Sequence, residues 1–195
     1  MVEQLSPLGA AYRPGRHGRI NDTVGVTLSE RQPGSIVQLA AWSGQEDAMR
    51  ALITDISGLE VPATSGGGTA EPAKAGFGIA PGKVLLIDDT DGIFADYSAA
   101  LPENIGVVTD LSHGRSAIRI VGPSAEWVLS KLFAIDFTSG AFPVGAGRST
   151  THHDIFTQIQ RSGEDQFDLY VFRSFARSFW QTLCHAAGEV GYEVI

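Results

Sequence analysis

The stretch Ala117-Ile118-Arg119-Ile120-Val121-Gly122-Pro123-Ser124-Ala125 decides the reading of the fold. Ile118 and Ile120 alternate with their neighbours and share one face of a strand over Ala117 to Val121. Gly122-Pro123-Ser124 stops that strand and opens a helix, since proline's fixed φ suits a first helical turn. Val128, Leu129, Leu132 and Phe133 follow at helical spacing and mark its buried side. Further on, Arg148 to Arg161 reads as a strand or hairpin arm, and Phe167, Leu169 and Val171 alternate in the next strand. Ser174 is read as the cap of a helix whose Phe175, Phe179, Leu183 and Ala187 fall four residues apart. Gly188 and Gly191 end it, before a closing strand over Tyr192 to Ile195.

Upstream, the same order occurs once more. Ile36, Val37, Leu39 and Trp42 read as a strand beginning near Ser35. Ser43-Gly44-Gln45-Glu46 has the spacing of a capping box, and Ala48, Met49, Leu52, Ile53 and Ile56 form the apolar stripe behind it, closed by Gly58. Gly76 to Ala80 and Lys83 to Ile87 are two strands joined by Pro81-Gly82. Ile93 to Leu101 is a helix with Asp91 as its cap, and Ile105 to Thr109 is a strand. The expectation is an α+β fold of two ferredoxin-like β-α-β-β-α-β halves, residues 31–112 and 113–195, with antiparallel sheets and helices on one face. The two halves can equally form one continuous domain. Thr64-Ser65-Gly66-Gly67-Gly68-Thr69 interrupts all periodicity and is read as a flexible loop. It is not a phosphate loop, because no Lys-Ser/Thr pair follows. Residues 1–30, with Arg13-Pro14-Gly15-Arg16-His17-Gly18-Arg19, read as an N-terminal arm, either solvated or docked on an acidic partner.

Composition narrows the function classes. The chain has 195 residues, 43% hydrophobic and 18% charged, enough to bury a core. A net charge of -8 argues against nucleic acid as the main partner. A single cysteine, Cys184, rules out an internal disulfide and a Cys-based zinc site. Met1-Val2-Glu3-Gln4-Leu5 carries no basic region before an apolar run, and no stretch has the roughly 18 apolar residues of a membrane span. The expected setting is cytoplasmic, with no membrane partner.

Each candidate for chemistry has a structural reading beside it. Thr151-His152-His153-Asp154 has ligand-type side chains, but a metal takes about three or four converging ligands, and neighbours on a strand point to opposite faces. A polar turn at a strand start is preferred. Asp88-Asp89-Thr90-Asp91-Gly92 resembles part of a calcium loop, yet Ile87 would fall at its first ligand position. Ser112-His113 and Ser174 lack the surroundings of an activated nucleophile. Cys184 falls on the apolar side of the last helix beside Leu183, and His185 is read as surface or interface; Phe179 and Trp180 lie about 100° apart, so one can fill the core while the other faces outward, and Trp180 is read as core in preference to an interface anchor. No catalytic, cofactor-binding or metal-binding residue is therefore assigned.

The run Asp110-Leu111-Ser112-His113-Gly114-Arg115, followed by Arg119-Ile120-Val121-Gly122-Pro123-Ser124-Ala125, resembles a signature of the aminomethyltransferase superfamily of the glycine cleavage system. Together with Asp136, Ala141-Phe142-Pro143, Arg173-Ser174-Phe175-Ala176, Ser6-Pro7-Leu8 and Val26-Thr27-Leu28-Ser29-Glu30, it is most similar to one branch, the gamma subunits of heterotetrameric sarcosine oxidases. That resemblance implies a fold like the N-terminal part of aminomethyltransferase. It also implies a non-catalytic role in an oxidoreductase complex that demethylates sarcosine to glycine, with alpha, beta and delta subunits as partners. FAD, FMN, NAD, tetrahydrofolate and zinc would sit on those partners and none on this chain. Aminomethyltransferases carry an acidic pair in a Gly-Gly-x-x-Asp-Asp hairpin. Here Ile155 and Phe156 stand in its place, so His152-His153-Asp154 reads as a remnant of that hairpin, and the later folate-enclosing domains are not expected. The alternatives are a stand-alone folate- or small-molecule-binding protein of this fold, or a subunit of an oxidase that demethylates another N-methyl amino acid.

Overall fold

A computed structural model describes residues 5–19 and 23–195. The reading of Met1 to Gln4, and the part of the expected arm at 20–22, lie outside these residues. The strands are β1 (Gly15–His17), β2 (Val26–Arg31), β3 (Ser35–Ala41), β4 (Gly67–Glu71), β5 (Lys74–Ala80), β6 (Lys83–Asp88), β7 (Gly106–Asp110), β8 (Arg115–Val121), β9 (Ala146–His152), β10 (Ile155–Gly163), β11 (Gln166–Phe172) and β12 (Tyr192–Val194). The helices are α1 (Glu46–Ser57), α2 (Ile93–Ala100), α3 (Ala125–Ser130) and α4 (Ala176–Ala187).

The chain is α+β, but the strands form one sheet rather than two. Its order is β1-β12-β2-β8-β11-β10-β9-β4-β5-β6-β3-β7, antiparallel except where β12 runs beside β2. The junction is β4, whose Gly67, Gly68 and Thr69 pair with Arg148, Gly147 and Ala146 of β9. No break in the sheet therefore marks the boundary near residue 112. The sheet also curls. β5 and β11 are separated by β10, β9 and β4, which in a flat sheet means roughly 19 Å at about 4.8 Å per strand. Yet the rings of Phe77 on β5 and Tyr170 on β11 lie 5.9 Å apart.

Alternation sorts the side chains onto the two faces. Val37 and Leu39 of β3, with Val84 and Leu86 of β6, pack under Met49 and Ile53 of α1 and Ile93 and Tyr97 of α2. Ile118 and Ile120 of β8, with Phe167, Leu169 and Val171 of β11, pack under α3 and α4. The opposite, inner face collects Ile36, Phe77, Leu85, Ile87, Ala117 and Tyr170, and among the described residues no helical side chain joins that cluster. At ~25 cal/mol per Å² of apolar surface, these clusters are the main stabilising term.

Several local expectations are corrected. The N-terminal stretch is not a frayed arm: Leu8 is fully buried in the α3/α4 core, β1 pairs with β12, and β2 lies inside the sheet between β12 and β8. Residues 8–12 cover the outer side of α4, so Phe179 and Trp180 are both buried, and Trp180 is a core residue. The capping assignments at Ser43, Asp91 and Ser174 fail. α1 starts after Gln45 and α2 after Gly92, while a 3-10 turn over Arg173–Phe175 precedes α4; none of these starts has a side-chain cap. Gly58 does close α1, at φ 75°.

The Gly-rich segment is the largest correction, since its glycines mark a strand. A Cβ on Gly68 would stand 2.6 Å from the Phe77 ring and one on Gly147 2.7 Å. The two glycines face each other across β4 and β9, and their lack of side chains is the space that ring occupies. Gly68→Ala should therefore cost about 1–3 kcal/mol by overpacking, read as a lower urea midpoint at unchanged m. A midpoint equal to that of the unsubstituted chain would refute the account.

Candidate functional site

The inner face carries a buried polar cluster, and register places it there. Arg119 of β8 is the cross-strand partner of Asp168 on β11, which is itself the partner of Gln160 on β10. All three point away from the helices because Ile118, Leu169 and Ile159 beside them point toward them. Asp168 is fully buried. One of its oxygens accepts from Arg119 Nε at 2.6 Å, and the other from Arg119 Nη2 at 2.8 Å, Arg31 Nη1 at 3.2 Å and Gln160 Nε2 at 3.3 Å. Arg31 Nη1 also donates to the Tyr170 hydroxyl at 3.2 Å, and its Nη2 pairs with Asp89 at the rim. The cluster borders a cavity of about 290 Å³.

Its electrostatics follow from these contacts. The hydrogen bond to Asp168 holds the Arg119 guanidinium above its ordinary range, against the opposing effect of burial. Tyr170 is pushed far upward, first by burial and then by the Asp168 charge, so it stays a neutral phenol at any physiological pH. Asp168 is a poorly placed base, since both of its oxygens are engaged by cationic or amide donors. The arrangement clamps β2, β8, β10 and β11 together. One buried group beside it, Gln160 Oε1, has no hydrogen-bond partner.

The residues singled out from sequence are scattered. His153 and Asp154 form a two-residue hairpin loop between β9 and β10, with His153 at φ 49°, a left-handed conformation suited to such tight turns. The turn brings the His152 and His153 rings to 4.4 Å instead of sending them to opposite faces. His152 Nδ1 is taken by the Leu132 carbonyl at 2.9 Å, and no group of three metal-type ligands occurs among the described residues. Ile155 rests partly buried on the core below α3 and α4, and Phe156 is exposed. Asp88 Oδ1 accepts the Thr90 amide at 2.8 Å, a turn bond. Ser112 Oγ accepts the Ile36 amide at 3.0 Å, and the Ser112 hydrogen bonds hold Asp110 below its ordinary range. Cys184 is half-buried and burial pushes its thiol up, which disfavours the thiolate a nucleophile needs. The exposed tryptophans are Trp42 and Trp127, the latter under Lys131 at 4.5 Å.

Asp136, Phe142 and Arg161 act on the helix side. Arg161 is buried, donates to the carbonyls of Phe137 at 2.8 Å and Phe142 at 3.3 Å, and pairs with Glu126 at 2.7 Å. Asp136 Oδ1 accepts from the Thr138 amide and hydroxyl at 3.0 and 2.8 Å. Asp136, Phe142 and Arg161 thus fix the connection between α3 and β9. The Arg119–Asp168 pair is not marked by any sequence motif; its signal is one charged residue between apolar neighbours in each of two strands that lie side by side in the sheet, Ile118-Arg119-Ile120 and Phe167-Asp168-Leu169.

Comparison with known proteins fits this geometry. Sarcosine oxidase subunit gamma of Corynebacterium sp. (strain P-1) is 33% identical over 101 residues, 52% of this chain and 50% of the relative. The protein of the same name from Arthrobacter sp is 33% identical over 90 residues, 46% and 44% of the two chains. The matched stretch thus spans half or less of these relatives' length. A chain of the heterotetrameric sarcosine oxidase from Corynebacterium sp. U-96, solved with pyrrole 2-carboxylate, superposes with a TM-score of 0.72 at 26% identity, over 83% of each chain. The glycine cleavage system aminomethyltransferase T from Bartonella henselae superposes at 0.59 and 17% identity, over 88% of this chain and 48% of that one, and shares the fold. The family model for the GCVT N-terminal domain matches residues 89–195, more than half of the chain. The chain belongs to the GCVT N-terminal domain family.

Proposed function

We propose that this chain is a non-catalytic gamma subunit of a heterotetrameric sarcosine oxidase. Oxidative demethylation of sarcosine to glycine would take place on the alpha, beta and delta subunits, which would hold FAD, FMN, NAD, tetrahydrofolate and zinc. The observation that carries this reading is the superposition on a chain of such a complex along 83% of both molecules. The committed state of Asp168 and the apolar pair Ile155-Phe156 agree with it, because neither place offers a free acid or base. Its two ferredoxin-like halves would fold as one continuous domain through the β4–β9 junction, and the complex would reside in the cytoplasm. Among the described residues no helix is long and apolar enough to cross a membrane.

Co-expression with the flavoprotein subunits tests this reading. The chain should co-purify with them in equal amounts, and omitting it should lower the yield of assembled oxidase. A chain that stays monomeric by light scattering, while the others form active oxidase without it, would overturn the proposal. The cavity beside Asp168 favours a second reading, a stand-alone binder of folate or another small molecule. Calorimetry with tetrahydrofolate decides it, and absence of heat rejects it. A related complex acting on another N-methyl amino acid would use this chain in the same way.

A further inference from the structure

The sheet ends in β1 on one side and β7 on the other. A free edge invites pairing with another chain unless it is blunted. β1 is blunted: it is three residues long and carries Arg16, which pairs with Glu193. β7 has no such device. Its five residues, Gly106-Val107-Val108-Thr109-Asp110, include no proline, lysine or arginine, and its register against β3 is unbroken. The pairing fixes which backbone groups are spent. The Leu111 amide donates to the Ile36 carbonyl at 2.8 Å, and the Trp42 amide to the Ile105 carbonyl at 2.9 Å. Along an antiparallel ladder such bonded pairs alternate. Val107 and Thr109 therefore bond to β3, while the N–H and C=O of Gly106, Val108 and Asp110 point out of the sheet. Gly106 is buried, but Val107, Thr109 and Asp110 are exposed, so the open part of the edge runs from Val107 to Asp110. Among the described residues no backbone hydrogen bond from another segment reaches Val108 or Asp110.

The two sides of this edge differ in chemistry. Val108 packs against Ile93 and Tyr97 of α2, so Asp110, two residues on, also lies on the helix side. Val107, 44% exposed, lies on the other side. Trp42, 50% exposed, is tied to the approach to β7, since its Nε1 donates to the Glu103 carbonyl at 2.8 Å. The charge is of one sign. No Lys or Arg occurs between Lys83 and Arg115, and the exposed Asp96, Glu103 and Asp110 enter none of the ion pairs among the described residues. A second copy of the chain would bring the same acids to the edge and be repelled. The strand that complements β7 alternates, with an apolar side chain beside Val107 and Lys or Arg beside Asp110, and its cations also suit the open Trp42 ring.

We propose that β7 receives an extended basic segment of a partner protein, which adds to the sheet as a further strand. This rests on the reading of the chain as a subunit, and the test separates the two. The isolated ¹⁵N-labelled chain is titrated with a peptide of alternating arginine and valine, about seven residues long. The Val108 and Asp110 amide signals should move saturably, with a Kd of roughly 0.1–1 mM, and exchange more slowly with solvent. Val108→Pro removes an outward N–H and no bond to β3, and should weaken binding about 10-fold or more. Val107→Lys, a change at an exposed position, should do the same by repulsion and is the variant to read if Val108→Pro does not fold. No saturable shift, shifts only away from β7, or unchanged binding in the variants overturns the edge site whether or not the oxidase subunits bind. A peptide of alternating glutamate and valine should not bind; if it binds as well as the arginine peptide, the basic partner is refuted. A dimer of the isolated chain by light scattering, broken by Val107→Lys, gives the edge to a second copy and overturns the partner claim. In the co-expressed complex, the peptide spanning β7 should exchange more slowly than in the isolated chain, and Val107→Lys should weaken retention about 10-fold. Full retention with unchanged exchange of β7 overturns the partner claim.

Discussion

Asp168→Ala is expected to destabilise the chain by about 3–5 kcal/mol, a large part of the ~5–15 kcal/mol that holds a domain of this kind together. The magnitude comes from what the substitution leaves behind. Asp168 contributes few apolar contacts, but it is the anion on which Arg119 and Arg31 converge, and it accepts from Gln160 as well. Without it, two guanidinium groups face each other on a largely buried surface, one of them keeping only the rim contact with Asp89 and the Tyr170 hydroxyl. Asp168→Asn keeps the shape and loses the charge, so it should fall between. Arg119→Ala combined with Asp168→Ala should cost less than the sum of the single losses, since the second change removes a cation the first had orphaned. Urea unfolding of the four proteins checks this. A loss below ~1 kcal/mol for Asp168→Ala would mean that the cluster behaves like a surface pair. The exposed Arg16–Glu193 pair, 3.8 Å apart at the sheet edge, is the internal comparison and should matter little.

What the sequence made legible, and what it hid, separate by the range of the interaction. Strands and helices whose faces alternate or repeat, such as Ile118/Ile120, Phe167/Leu169/Val171 and Met49/Ile53, stand where their periodicity put them, because burial of one face is decided within a few residues. The helix starts were misplaced at Ser43, Asp91 and Ser174, since capping depends on a local φ/ψ that residue type only biases. The single sheet was out of reach. Thr64 to Thr69 looks like a loop because glycine has low strand propensity, and the reason for Gly68, the Phe77 ring, lies about ten residues away with Gly147 a further seventy on. The merging of β2 between β12 and β8 likewise joins segments that no local pattern connects. The candidate site was half legible: lone charges inside two apolar strands were visible, but their pairing needed the register of β8 against β11. Arg115 sits within a motif that could be quoted from sequence, and only the structure reveals that it is buried and that none of the ion pairs among the described residues includes it.

Trp180→Ala should be the other severe substitution, at about 3–5 kcal/mol, and it distinguishes a core residue from an interface anchor. An anchor would leave the isolated chain intact and weaken only its assembly. Trp180 is instead 1% exposed, its ring centroid is 5.4 Å from that of Tyr12, and its Nε1 donates to the Ala11 carbonyl at 3.1 Å. Truncation therefore opens a cavity in α4 and at the same time unhooks the segment that seals α4 from outside. Two readouts should move together: a lower urea midpoint, and faster tryptic cleavage at Arg16, just beyond the segment that Trp180 holds. Trp127→Ala is the control, because Trp127 is 46% exposed and its main contact is the Lys131 ammonium. Its urea midpoint should hardly change. If Trp180→Ala also left the midpoint and the cleavage rate unchanged, residues 8–12 would not be part of the fold. β2, which enters the sheet between β12 and β8 further along the chain, would then need another reason for its place.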